Sequence, residues 1–210
     1  MIYVVGIGPG SKDMMTLEAI KAMENADVIV GYKTYINLIT EFIQDKEVVS
    51  NGMRQEIDRC KRAVEIAKEG KTVAVISSGD AGIYGMAGLI LELTAKEETE
   101  VPVKVVPGVT ASIGAAAILG APIMHDFCHI SLSDLLTPWE VIEKRLRLAA
   151  EADFVVCLYN PRSKGRSEHL AKAFEIMGEF KDGSIPVGIV KDVGRENRHS
   201  ALMPIPRHIS

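Results

Sequence analysis

Short runs of β-branched and apolar residues alternate with longer amphipathic stretches over the first hundred positions of the chain. Ile2-Tyr3-Val4-Val5, Asp27–Val30, Glu47–Val49 and Thr72–Ile76 read as strands. The stretches 16–25, 34–43 and 54–69 read as helices between them. In the last of these, Ile57, Val64 and Ile66-Ala67 form an apolar stripe, Arg54, Glu56, Asp58, Lys61, Arg62, Glu65 and Lys68 stay solvated, and Gly70 supplies a stop. Such alternation predicts βαβ units and a parallel sheet. Lys96–Glu100 is charged and poor in apolar residues, and the rhythm resumes beyond it. A strand at Val103–Val106, a helix over 110–119, irregular sequence through 120–137, a helix over 138–150, a strand at Phe154–Leu158, a helix over 167–178 and a strand at Val187–Val190 follow. The fold expected is α/β, with two domains, 1–98 and 99–210, and a cleft between them.

Composition narrows this picture without changing it. The 210 residues are 47% hydrophobic and 25% charged, enough apolar content for a sizeable core. The net charge of −4, with no basic run, argues against a nucleic-acid partner. Cys60, Cys128 and Cys157 are too far apart for a zinc pattern, and their odd number suits a reducing cytoplasm. Val105–Met124 is twenty residues without a charge, the length of a membrane span. Pro107-Gly108 and Gly120-Ala121-Pro122 break both of its ends, so a buried helix in a soluble cytoplasmic protein is expected instead.

Two glycine loops follow strands, and they carry most of the chemical information. Gly6-Ile7-Gly8-Pro9-Gly10 approaches the dinucleotide fingerprint but has Ser11 where the last glycine should stand, and Pro9 removes an amide donor. It suits a ligand approached closely but not through a phosphate. Ser78-Gly79-Asp80-Ala81-Gly82-Ile83-Tyr84-Gly85 has three glycines in seven residues, a composition that exposes carbonyl oxygens to a cationic ligand. Asp80 reads equally as a helix cap. Pro107-Gly108-Val109-Thr110-Ala111-Ser112 forms a third strand-to-helix junction, with Thr110 or Ser112 placed to cap.

Two polar segments lie further on. His125-Asp126-Phe127-Cys128-His129-Ile130-Ser131-Leu132-Ser133-Asp134 offers a histidine–carboxylate pair for acid–base work, and its spacing matches no common metal-ligand pattern. Tyr159-Asn160-Pro161-Arg162-Ser163-Lys164-Gly165-Arg166 places three cations on one loop, either a solvated face or a clamp for carboxylates.

Taken in this order, these segments resemble the tetrapyrrole methylase family of S-adenosylmethionine-dependent enzymes. The GxGPG start, the Gly79-Asp80…Tyr84-Gly85 loop and Val106-Pro107-Gly108-Val109-Thr110-Ala111 carry the family likeness. The run His125–Trp139 and Leu158-Tyr159-Asn160-Pro161-Arg162-Ser163 are similar to the branch that methylates carbon 17 of precorrin-3B or cobalt-factor III. The resemblance spans residues 1 to about 197. It implies two α/β domains in a homodimer, with S-adenosylmethionine held by Gly8, Pro9, Ser78, Gly79, Asp80, Ile83, Tyr84, Thr110, Ala111, Tyr159, Asn160 and Val193. Family members continue beyond the Val187–Gly194 region with further strands and a helix, whereas Asn197–Ser210 reads as short and aperiodic. That predicts a second domain short of edge strands.

Methyl transfer to an electron-rich ring carbon demands alignment in a dry site more than a strong nucleophile. Ring contraction, coupled to it in this branch, needs proton movement, for which His125, His129, Asp134 and Asp80 are the candidates. Lys33, Arg162, Lys164 and Arg166 would hold the acetate and propionate arms of a cobalt-containing or metal-free tetrapyrrole. Methylation of another tetrapyrrole carbon, a nicotinamide-dependent oxidoreductase and a non-catalytic tetrapyrrole-binding remnant are the competing readings.

Overall fold

The computed structural model describes residues 1–52, 55–161, 168–195 and 198–204. The chain forms two compact units, Met1–Gly114 with Asp192–Arg198, and Ala115–Lys191 with His199–Ser210.

The first unit is a parallel sheet covered on both faces. It comprises β1 (Ile2–Gly6), α1 (Leu17–Glu24), β2 (Val28–Tyr32), α2 (Lys33–Ile36), β3 (Glu47–Asn51), α3 (Glu56–Lys68), β4 (Val73–Ser77), α4 (Ala87–Lys96) and β5 (Val103–Val106). The strand order is β3-β2-β4-β1-β5 and every pairing is parallel. Successive strand residues point to opposite faces, so β1, β2 and β4 each feed two cores. Ile2, Val4, Val28, Val30, Val73 and Val75 pack on Cys60, Ala63, Val64 and Ala67 of α3 and Ala87 and Ile90 of α4. Val5, Ile29, Ala74 and Ile76 pack on Ala19, Ala22 and Met23 of α1 and on Ile36 and Ile39. The β-branched side chains among them are fully or almost fully buried, each contributing about 1.5–3 kcal/mol. A near-continuous apolar strand is the mark of such a doubly covered sheet.

The helices after β1 and β2 lie on one face, and those after β3 and β4 lie on the other. The adjacent strands β1 and β4 therefore send their chains to opposite faces, which opens a crevice at their carboxyl ends. At the start of α1, Thr16 Oγ1 accepts from Ala19 N at 3.0 Å and donates to Pro107 O at 3.3 Å. The cap thereby ties this helix to the loop after β5.

The helix expected over 34–43 is broken. After α2 the backbone bonds shorten to three-residue spacing, Leu38 N to Tyr35 O and Ile39 N to Ile36 O, ending in a 3-10 turn at Thr40–Phe42. Asn37 and Thr40 favour this, being weak helix formers, while Ile36, Ile39 and Ile43 stay buried. The units also part later than the charged break at 96–100. β5 completes the first sheet beside β1, and the change falls inside α5 (Ala111–Ile118), after Gly114. With α5 only eight residues long, no helix among the described residues is long and apolar enough to cross a membrane.

The second unit holds β6 (Phe127–Ser131), α6 (Trp139–Glu151), β7 (Val155–Tyr159), α7 (His169–Gly178), β8 (Pro186–Lys191) and β9 (His199–Pro204). β6 and β7 pair in parallel, and Ile130 and Leu132 pack on Ile142 and Leu146 of α6 and Ala173 and Ile176 of α7. β8 and β9 form an antiparallel pair running from Lys191↔His199 to Pro186↔Pro204. The aperiodic stretch expected beyond Asn197 thus contains a strand. Pro204 falls at the open end of the pair, opposite Pro186, where a missing amide donor is tolerated.

Candidate functional site

The three glycine junctions follow three neighbouring strands, β4, β1 and β5, and meet at one end of the first sheet. Their contact is backbone on backbone. A Cβ on Gly108 would lie 2.2 Å from Gly79 O and 2.6 Å from Gly6 O, and one on Gly6 would lie 2.8 Å from both Gly79 O and Gly108 N. Only glycine fits at either position. Gly8 and Gly79, both at positive φ, exchange hydrogen bonds: Gly8 N donates to Gly79 O at 3.0 Å, and Gly79 N to Gly8 O at 2.8 Å. Of the carbonyls expected to face a cationic ligand, Gly79 O thus also accepts from the first loop.

Asp80 fastens the second loop to the third. Its Oδ1 accepts from Gly82 N at 2.7 Å and Ile83 N at 3.1 Å, and its Oδ2 accepts from Gly108 N at 2.9 Å. The helix-cap reading is corrected by the position of α4, which starts seven residues later with Met86 as its N-cap and no side-chain cap bond. The carboxylate closes a loop turn instead and spends both oxygens on amides. Ser77 Oγ accepts from Met86 N at 3.4 Å, and Ala87 N donates to Ala81 O at 2.9 Å, completing the turn.

Around this hub stand the residues of the expected cofactor set that belong to the first unit. Ser78 and Ile83 are half-buried, and Tyr84 is exposed with φ +52°. Thr110 is buried at the start of α5, its Oγ1 4.0 Å from where a Cβ on Gly79 would stand, and Ala111 opens the helix. Val193 arrives from the turn after β8: a Cβ on Gly114 would lie 2.7 Å from Val193 Cγ1 and 3.4 Å from Pro9 Cγ. Gly8, Pro9, Ser78, Gly79, Asp80, Ile83, Tyr84, Thr110, Ala111 and Val193 are thus in the first unit, clustered at the carboxyl ends of its strands. Lys33 is exposed at the start of α2.

The second unit carries the polar string. His125 lies in an exposed turn before β6, and the following residues form a strand that the histidines and aspartates disguise in the sequence. His129 stands in β6 with its ring 5.6 Å from Phe127 and 5.2 Å from Tyr159, both edge-on. Burial pulls its pKa below 6.5, favouring the neutral imidazole that can accept a proton. Asn160 ends β7 at φ +52°, a conformation Asn tolerates, and its Nδ2 donates to Ser131 Oγ at 3.0 Å. Asp134 lies 3.7 Å from Nε2 of His169, a residue the sequence did not single out. His169 Nδ1 is 2.9 Å from Leu132 O, and its ring rests 4.5 Å from Trp139. Histidine–carboxylate proximity is therefore realised with a histidine 35 positions beyond Asp134, from α7, which no local pattern announces. Arg162, Lys164 and Arg166 fall outside the described residues.

Three glycine junctions, where adjacent parallel strands send their chains to opposite faces of the sheet, define an α/β protein of the kind that takes a small molecule at the carboxyl ends of its strands. Known proteins of this architecture give it a lineage. The family model for tetrapyrrole (corrin/porphyrin) methylases matches residues 1–207, and the chain belongs to that family. It is 59% identical over 202 residues to a protein of Salmonella typhimurium named probable cobalt-factor III C(17)-methyltransferase, covering 96% of this chain and 84% of that one. It is 44% identical over 207 residues to the precorrin-3B C(17)-methyltransferase of a Sinorhizobium species, covering 97% and 81%. Among solved structures, that of the methyltransferase CobJ superposes with a TM-score of 0.93 at 37% identity, covering 99% of this chain and 87% of CobJ.

Proposed function

We propose that this chain transfers a methyl group from S-adenosylmethionine to carbon 17 of a corrin precursor, with contraction of the macrocycle, as a step of cobalamin biosynthesis. The carrying observation is the interlocked hub of the three glycine junctions, where a Cβ on Gly6 or Gly108 would meet the backbone of a neighbouring loop at 2.8 Å or less. Identity of 59% to a cobalt-factor III enzyme, against 44% to a precorrin-3B enzyme, favours the cobalt-containing substrate.

S-adenosylmethionine, when bound, supplies an electrophilic methyl on a sulfonium. The chain's own residues hold and align it: Pro9, Gly79, Thr110, Ala111 and Val193 shape the cradle, and Asp80 fixes the loop that carries Ile83 and Tyr84. The family resemblance supports Tyr159 and Asn160, at the end of β7, as further cofactor residues. Positioning of this kind removes most of the barrier without a protein nucleophile. His129, whose burial favours the neutral imidazole, takes up the proton that ring contraction releases, and His125 and Asp134 are the further acid–base groups. Lys33, Arg162, Lys164 and Arg166 pair with the substrate's carboxylate arms. The resemblance also supports a homodimer working in the cytoplasm.

Incubation with cobalt-factor III and S-adenosylmethionine should give a product heavier by one methyl-for-hydrogen exchange, with an altered absorbance spectrum. Transfer to uroporphyrinogen III alone, or no transfer, overturns the reading. His129→Ala should slow contraction more than methylation, and wild-type rates of both would remove His129 from the acid–base role.

A further inference from the structure

The turn after β8 brings a cation onto the first glycine loop. Asp192 and Gly194 both have positive φ, and Arg195 N donates to Asp192 O at 3.0 Å, closing the turn. A Cβ on Gly194 would lie 3.0 Å from Ser11 N. A Cβ on Gly10 would lie 2.6 Å from Arg195 Cγ and 3.1 Å from its Nε. The third glycine of the first loop is therefore the surface on which the arginine stem rests.

The guanidinium placed there is poorly satisfied. Its one ion contact among the described residues is Nη1 to Asp192 Oδ1 at 3.7 Å, beyond hydrogen-bond range. Nε is buried and has no hydrogen-bond partner among the described residues. Yet the side chain as a whole is 30% exposed. Tyr35 stands within its electrostatic reach: burial raises the phenol's pKa while the charge of Arg195 opposes the rise. Buried donors are nearly always paired, so the lone Nε shows a guanidinium that the protein leaves under-satisfied. Its two Nη groups, with one ion contact at 3.7 Å between them among the described residues, are the edge at which a ligand supplies acceptors.

We propose that Arg195 is a carboxylate-binding residue, its fork receiving one carboxylate of the bound reactants in bidentate fashion. Resting on the methyltransferase reading above, this names two sources: an acetate or propionate arm of the macrocycle, or the amino-acid carboxylate of the methyl donor. Lysine would not replace it, because a point charge cannot make two parallel bonds.

Full-length Arg195→Gln and Arg195→Lys variants test this by calorimetry with S-adenosylhomocysteine and with methylthioadenosine, which lacks the amino-acid part, and by the KM for cobalt-factor III. If the donor's carboxylate is held, Arg195→Gln weakens S-adenosylhomocysteine about tenfold or more and leaves methylthioadenosine unchanged. If a substrate arm is held, KM rises by about that factor and S-adenosylhomocysteine binding stays put. Arg195→Lys recovers only part of either loss. A folded Arg195→Gln with both constants within about twofold of wild type overturns the proposal. Should that variant not fold, unchanged constants in Arg195→Lys overturn it equally. Wild type that neither binds S-adenosylhomocysteine nor methylates cobalt-factor III would bring down the methyltransferase reading, and this proposal with it. Wild-type turnover with unaffected variants overturns Arg195 alone.

Discussion

Asp80 Oδ2 accepts a hydrogen bond from Gly108 N at 2.9 Å, joining loops that begin at the ends of two strands separated in the sheet by β1. Its other oxygen holds Gly82 and Ile83 amides, so one carboxylate sets the shape of the whole hub. Asp80→Asn keeps the size but can turn an N–H2 group toward an N–H donor. We expect a loss of about 1–3 kcal/mol, since each bond to a charged acceptor is worth about that much. S-adenosylhomocysteine affinity should fall in parallel. Unfolding in urea and calorimetry on the same preparation check both, and unchanged stability would show that the amides find other partners.

Glycines in this fold differ sharply in what they carry. Gly108→Ala would force a Cβ to 2.2 Å from the Gly79 carbonyl, and backbone cannot step aside cheaply. The expected destabilisation is about 3 kcal/mol or more. Gly88, on the exposed side of α4, has nothing within 4 Å of an added Cβ. Gly88→Ala should stabilise the protein by roughly 0.5–1 kcal/mol through helix propensity. Equal melting temperatures for the two variants would contradict the hub.

The sequence disclosed what is local. Ile2–Val5 and Thr72–Ile76 announce strands because β1 and β4 are buried on both faces, and the glycine runs after them announce the junctions. Hidden were the relationships that only folding creates. Asp80 reaches a glycine 28 positions away, and Asp134 reaches His169 from another helix. β6 was disguised because its half-buried strand positions hold Cys128, His129 and Ser131, which read as chemistry rather than as alternation. β9 was disguised by Pro204 at its end and by Leu202, which remains exposed. Arg195 carried no signal except a glycine opposite it, and a glycine's reason for being small is invisible until its neighbour is known.

Cys60 lies fully buried in α3 against the first sheet, and burial pushes its thiol up to about 12 from an ordinary 9.0. It should resist alkylation in the native protein and react only on unfolding. The same shift makes stability pH-dependent. Between about pH 9 and 12 the unfolded thiol has lost its proton while the native one keeps it. The native state binds more protons there, so stability falls as pH rises through that window, by up to about 1.4 kcal/mol per pH unit from this group. Cys60→Ala should remove that slope, and denaturant unfolding at pH 8, 9.5 and 10.5 compares the two (conditions on the order of one pH unit apart suffice). Identical slopes would mean that the thiol ionises in the native state.

Trp139 is the only tryptophan of the chain, and the His169 ring rests on it at 4.5 Å while Nδ1 bonds the Leu132 carbonyl. The indole therefore reports on the histidine that approaches Asp134. His169→Ala removes the ring contact and the bond together, and should cost about 1–3 kcal/mol. Trp139 emission should brighten or shift, since its neighbour is replaced by water. His169→Gln retains a donor for the carbonyl but no ring, so it should recover part of the stability and none of the emission. If His169 serves only to hold α7 against Leu132, the glutamine variant will methylate and contract the substrate at the wild-type rate. If its nearness to Asp134 matters to proton movement, contraction will slow in both variants while donor binding stays unchanged.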